Sequence, residues 1–354
     1  MTTAILECIS TLSISAQQLR RLPMFLESGL LKKMPSTVED SDVPNLFREP
    51  YILAGYRPTD QSWKYYFLSL FQKHNESVNV WTHLLVAFAV IWRFRAFVET
   101  ESFSWNTLSI PLVLYVLASL TYLTCSMLAH LLQSKSELAH YTFYFMDYVG
   151  VSTYQYGSAL AHFYYSSHQA WYDKAWPFFL PGAALLGWMS CVGCCYAKYR
   201  YRRPYPVMRK ICQVVPSGFA YILDISPVVH RIIVYYMEDS SDRAIWYHCL
   251  QIIFFVVSSY FFSCPVPEKF FPGGCDIIGH GHQIFHLFLG LCTLSQLEAI
   301  LLDYQARHEQ FTARYSPGFT QLSCLSFFLL IFCTAITAFY LRQKIKQKLA
   351  KKDL

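Results

Sequence analysis

Residues 107–130 read TLSIPLVLYVLASLTYLTCSMLAH, a stretch without one Lys, Arg, Asp or Glu. At about 1.5 Å of rise per helical residue, it is long enough to cross the roughly 30 Å hydrocarbon layer of a bilayer. Seven further stretches read the same way, at 77–97, 141–165, 176–197, 211–236, 244–263, 283–303 and 320–341. The third and fifth in chain order are the most polar and depend on the interior of a bundle. The expected fold is therefore all-α, a polytopic membrane helix bundle with a seven-helix receptor-like core and an eighth span.

Composition agrees. Of 354 residues, 54% are hydrophobic and only 15% charged, against about 25% charged in soluble domains. The 28 Phe and 26 Tyr suit interfacial belts or an aromatic-lined lipid cavity. Most of the twelve cysteines, among them Cys125, Cys191, Cys249, Cys292, Cys324 and Cys333, sit in apolar segments and read as small hydrophobic side chains rather than a disulfide scaffold. Cys194 and Cys195 are candidates for palmitoylation or plain packing. A net charge of +6, confined mostly to two clusters, argues against a nucleic-acid partner and for anchoring at membrane lipids. The chain lacks a Gly-rich phosphate loop and a Gly-x-Ser-x-Gly elbow, which argues against nucleotide or serine-hydrolase chemistry.

Outside the spans, residues 1–76 read as a cytoplasmic N-terminal tail, mostly loose because Pro23, Pro35, Pro44, Pro50 and Pro58 interrupt it. No cleavable signal peptide is expected. Near 61–73, Trp63, Tyr66, Phe67, Leu70 and Phe71 fall at helical spacing between Lys64 and Lys73, as in a short helix lying in the interface. Residues 77–341 form the membrane domain and 342–354 a basic tail. Orientation follows from loop cations. Lys198, Arg200, Arg202, Arg203, Arg209 and Lys210 crowd one connection, and Arg342, Lys344, Lys346, Lys348, Lys351 and Lys352 fill the tail, whereas Glu238, Asp239 and Asp242 occupy another loop. Eight passes put both termini and both basic regions on the cytoplasmic side.

Four short patterns carry chemistry: Glu76-x-x-Asn79-x-x-x-His83, Ser126-x-x-x-His130, Asp147 within Phe143–Gly150, and His282-x-x-x-His286. Residues four apart share a helix face, so His282 and His286 can offer two imidazoles to one ion. With the assigned topology His130, Asp147, His282 and His286 reach one depth near the cytoplasmic face from separate helices. Three neutral imidazoles with an open position is the coordination of a catalytic zinc ion (Zn2+). Asp147 joins them directly or through a water, Ser126 stands one turn before His130, and Glu76, Asn79 and His83 are assigned to polar support. Any one of these alone reads as an interfacial polar residue, but ionisable groups inside spans are rare and mark function. Asp224 and Arg231 in the fifth span read as an ion-paired structural device. Gln213 is a candidate donor to a steroid carbonyl, and Tyr154 a candidate lining residue above the metal.

As a set these motifs resemble the progestin and adipoQ receptor family, within a wider group that includes alkaline ceramidases. The similarity runs through about residues 50–342, and Leu46–Tyr51, Ser263–Glu268 and Gly279–His282 tie it to the progestin-binding side of the family. The resemblance implies a plasma-membrane receptor for progesterone-like steroids that signals through an inhibitory-type heterotrimeric G protein. The rival it implies is a zinc-dependent, ceramidase-like lipid amidohydrolase, with Asp147 as base and Ser126 assisting; a purely structural zinc is the third reading.

The sequon Asn75-Glu76-Ser77 falls on the inner side in this topology and is expected to stay unmodified. Glycosidase treatment of the protein from mammalian cells should leave its electrophoretic mobility unchanged; a shift that Asn75→Gln abolishes would reverse the orientation.

Overall fold

The computed structural model describes residues 34–100, 103–238 and 242–351. Its helices in chain order are α1 (Trp63–Leu68), α2 (Ser77–Thr100), α3 (Ile110–Leu132), α4 (Glu137–Ala161), α5 (Gln169–Arg200), α6 (Val207–Glu238), α7 (Ala244–Ser263), α8 (Gly281–Ala306), α9 (His308–Arg314) and α10 (Pro317–Ala350). Among the described residues the one β feature is an isolated bridge between Val38 and Tyr56. All eight expected spans fall on long helices. Seven are long and apolar enough to cross a membrane on their own composition. The exception is α4, whose Gly, Ser, Thr and Tyr content sets it below the others.

Packing explains how α4 is accommodated. Helices α2 to α8 each contact their chain neighbour, and α8 returns to α2, so seven helices close a ring. Outside that ring α10 lies against α4 and α5. Its Ser326 shares a hydrogen bond with Tyr156 (2.5 Å), its Thr337 accepts from the Trp188 indole N–H (3.1 Å) and its Arg342 donates to Thr142 (3.1 Å). Large apolar side chains face outward elsewhere, including Phe88, Trp92, Phe219, Ile222, Leu325 and Phe328, as a lipid-facing surface requires. Helix α6 continues unbroken through Pro216 and Pro227; neighbouring membrane helices can support the carbonyls that proline frees.

The segment before α2 differs from expectation. From Met34 onward it is packed, not loose: Val43, Phe47, Ile52 and Tyr56 form their own buried cluster. Asp276 accepts the backbone N–H groups of Leu53 and Ala54 at 2.9 Å each, tying the segment to the connection before α8. The prolines stop helices but do not prevent burial, and the missing signal was the Val/Phe/Ile/Tyr spacing. Residues 1–33 lie outside the described residues. The interfacial helix is present as α1 plus a 3-10 turn, Ser69–Phe71. Trp63, Phe67 and Phe71 point outward, while Tyr66 is turned fully inward with Tyr65.

Close helix contact is set by small residues. A Cβ on Gly157 of α4 would come within 2.5 Å of the Ala118 Cβ on α3, and one on Gly150 would meet the Tyr122 backbone at 3.0 Å. Gly157→Ala must therefore push α3 and α4 apart, at a cost of about 1–3 kcal/mol. Thermal unfolding in detergent should show a lowered midpoint; a wild-type midpoint would refute the contact.

Candidate metal centre and the polar interior

The end of α3, the first turns of α8 and the start of α2 converge at one end of the bundle. Ligand nitrogens of His130, His282 and His286 all lie within 4.8 Å of one another. The Nε2 atoms of His130 and His282 are 3.3 Å apart. Zinc–nitrogen bonds of about 2.0–2.1 Å in tetrahedral geometry place two ligand atoms roughly 3.3–3.4 Å apart. That spacing matches the first pair, and the donor set is of the right chemistry.

Two of the three imidazoles are oriented by neighbours outside the triad. His130 Nδ1 meets Glu76 Oε2 at 2.7 Å, which leaves Nε2 directed at the triad. Glu76 also accepts from Asn79 Nδ2 at 2.6 Å, and from Gln133 Nε2 at 3.4 Å on its other oxygen. A carboxylate behind a histidine is the usual device for fixing a ligand's tautomer. His83 stacks on His286 with centroids 3.9 Å apart and planes at 16°, and Tyr122 sets its edge against His83 at 5.6 Å. The ring nitrogens of His83 and the Nδ1 of His286 are buried with no hydrogen-bond partner among the described residues. Asp147 is near but does not join the triad. Its neighbour across the α3–α4 contact is Ser126, and its Oδ1 is buried without a partner. His280 is turned away, its Nε2 3.1 Å from the Asn75 carbonyl.

Arg57 is the residue the sequence reading missed. It is almost wholly buried, and its guanidinium donates to the carbonyls of His130 (2.6 Å) and Leu131 (2.5 Å) and to Ser69 Oγ (2.9 Å). It thus caps the end of α3 that carries His130. Beside it, His74 accepts the Glu76 N–H on Nδ1 and faces the Ser69 carbonyl through Nε2. Burial, helped by the Arg57 charge, holds His74 well below the usual histidine range, so it stays neutral. A basic residue deep in a proline-rich tail gives no sequence cue to this role.

Beyond the triad a polar ladder runs through the bundle. Tyr122 shares a 2.6 Å hydrogen bond with Thr293, and Tyr154 donates to Gln296 at 2.6 Å. Gln296 donates to Ser158, and Ser158 to Asp224, each at 2.7 Å. His162 Nδ1 lies 2.9 Å from Asp224. Tyr154, with its ring 4.5 Å from Tyr122, sits one aromatic layer from the histidines. The expected pairing of Asp224 with Arg231 does not form. Both lie on α6, and each finds a nearer partner on another helix: Arg231 reaches Asp303 (2.6 Å) and Asp242, while His248 joins Asp303 at 2.9 Å. Gln213 is buried near the basic end, and its side-chain oxygen has no hydrogen-bond partner among the described residues. Cys195 is fully buried against Tyr141 and Phe145, which favours packing over acylation there.

The chain is similar over its whole length to known membrane proteins. Residues 71–297 match the family described as Haemolysin-III related. The membrane progestin receptor beta of Homo sapiens is 70% identical over 354 residues, covering all of both chains. That of Mus musculus is 69% identical over the same full length. The membrane progestin receptor alpha-B of Danio rerio is 52% identical over 355 residues, again all of both chains. The chain belongs to this haemolysin-III-related family, the progestin and adipoQ receptor group that its motifs resemble. Within it, the beta-type receptors are matched end to end.

Replacing Arg57 by Met keeps the bulk of the side chain but strands two helix-end carbonyls in the protein interior. Each buried unmet acceptor costs about 1–3 kcal/mol, so Arg57→Met should lower thermal stability by roughly 2–5 kcal/mol. A matched unfolding midpoint in detergent would remove Arg57 from this role.

Proposed function

We propose that the chain is a plasma-membrane receptor for progestin-type steroids, with both termini and the eight-span domain's basic end on the cytoplasmic side, acting through an inhibitory-type heterotrimeric G protein. The observation that carries this reading is full-length identity of 70% to a protein named membrane progestin receptor beta. The structure adds means of recognition. Gln213 is buried with an unpartnered side-chain oxygen, and half a turn of the amide brings its NH2 to the same place. A steroid ketone needs such a donor within an apolar surrounding, and the paired rings of Tyr154 and Tyr122 line the bundle interior on α4 and α3.

The same reading gives His130, His282 and His286 a zinc ion, with Asp147 joining it directly or through a water. Zinc held there would act as a Lewis acid toward a carbonyl oxygen. Glu76 keeps the His130 proton on Nδ1, His83 fixes the plane of His286, and Ser126 orients the Asp147 carboxyl. One feature favours the second reading, a lipid amidohydrolase acting on ceramide-like substrates. Asp147 keeps a buried oxygen free beside the triad, where it could take a proton.

Equilibrium binding of labelled progesterone to the purified protein, with elemental analysis of the same sample, tests both. Saturable binding and about one zinc per chain are expected. His286→Ala should lose the metal, and Glu76→Gln should weaken it by about 10–100-fold. Gln213→Leu should weaken steroid binding by roughly 5–30-fold, the worth of one hydrogen bond of about 1–2 kcal/mol. Binding no better than to an unrelated membrane protein counts against the receptor; zinc-dependent release of a sphingoid base, lost in His286→Ala, establishes the enzyme.

A further inference from the structure

At the basic end of the bundle, a cavity lies on the far side of Tyr144 from His130. Its wall is made by α4 (Glu137, Tyr141), the end of α5 (Lys198), the following connection (Tyr201, Arg202, Arg203, Tyr205) and the end of α10 (Lys348, Lys351), with Pro44–Leu46 as a rim. Five cations, Lys198, Arg202, Arg203, Lys348 and Lys351, face it against a single acid, Glu137. Lys198 is the notable member, since only 7% of it is exposed. Its ammonium lies 3.8 Å from the Tyr144 ring centre, and no carboxylate pairs with it among the described residues. A buried ammonium without an adjacent anion is costly, and a bound anion would offset that cost. Arg202 is braced by donating to the Tyr141 hydroxyl, and Arg203 by Glu49 at 2.8 Å. The walls are firm, because Ile345 of α10 is fully buried with Tyr141, Phe145, Cys191 and Cys195.

Helix length sets the depth of this cavity. The 34 residues of α10 rise about 51 Å at 1.5 Å each, well beyond the roughly 30 Å hydrocarbon layer. Its outward-facing stripe from Leu322 to Tyr340 is apolar, and Lys344, Lys346, Lys348 and Lys351 follow. The cavity therefore sits at headgroup level, with exposed Tyr196 packed against its wall residue Tyr201. We propose that it is a binding site for a phosphorylated inositol headgroup, whose clustered phosphomonoesters match the unpaired Lys198 and the converging arginines and lysines. Arginine forks and lysine ammoniums bind such groups as multidentate and point charges respectively, and basic pockets between membrane helices suit anionic headgroups. The site is separate from steroid recognition at Gln213, which can be assayed on the same samples.

The test uses the full chain in phosphatidylcholine nanodiscs containing a small fraction of phosphatidylinositol bisphosphate, read by native mass spectrometry. Wild type should retain the lipid in preference to phosphatidylserine. At about 1 kcal/mol per cation near the surface, Lys348→Gln should reduce retention roughly 5-fold, and Lys198→Gln with Lys348→Gln about 25-fold. Lys344→Gln, outside the cavity, should not change it. Because Lys348 and Lys351 are not buried as Lys198 is, Lys348→Gln/Lys351→Gln keeps the test open if the Lys198 variant fails to fold. Soluble inositol trisphosphate that binds in detergent and displaces the lipid assigns the site to a free phosphate of the same chemistry. Retention equal to phosphatidylserine, equal retention in the double variants, or competition by polyglutamate alone would each overturn the proposal.

Discussion

Inside a bilayer no water is available to satisfy a stray carbonyl or imidazole, and each such group costs several kcal/mol. The hydrogen bonds that Arg57 gives to the carbonyls of His130 and Leu131 answer that constraint where it is most acute, at the end of the helix that delivers His130. Around them the same rule is met repeatedly by side chains from different helices: Glu76 with His130, Asp224 with His162, Asp303 with His248 and Arg231. These bonds cross between helices whose mutual packing would otherwise be non-directional. They fix rotation and depth, and so decide which faces of α2, α3, α4 and α8 look at one another.

Much of the fold was legible because hydropathy is a property of single segments. All eight expected stretches coincide with long helices, and α7 matches at both bounds. The polar stretch 141–165 could be identified only as needing an interior, and the structure gives it one inside the ring. The histidine cluster was legible for a related reason: one sequence spacing, His282 to His286, and a consistent topology were enough to bring His130 alongside. Glu76 and His83 do lie beside it, the first through a hydrogen bond to His130 and the second stacked on His286.

What escaped the sequence depends on pairings between distant segments. Nothing in the local pattern around Arg57 says that it folds back onto α3, since the contact spans 73 residues. Asp224 and Arg231 share a helix face and invite an ion pair, but Ser158, His162 and Asp303 on other helices offer closer geometry. The packed segment from Met34 was hidden because proline punctuation describes where helices stop and not whether the chain is buried. The polar ladder from Tyr122 to Asp224 is likewise a property of four helices together.

The position of α10 has a consequence for how such a bundle can tolerate a polar member. Lying outside the ring on α4 and α5, it interposes a strongly apolar helix between α4 and the acyl chains on that side. It works as insulation: α4 can carry Gly150, Ser152, Thr153, Gly157 and Ser158 toward its neighbours without presenting a wet flank to lipid. A seven-helix ring lacking this outer jacket would need either a greasier fourth member or another subunit to shield it.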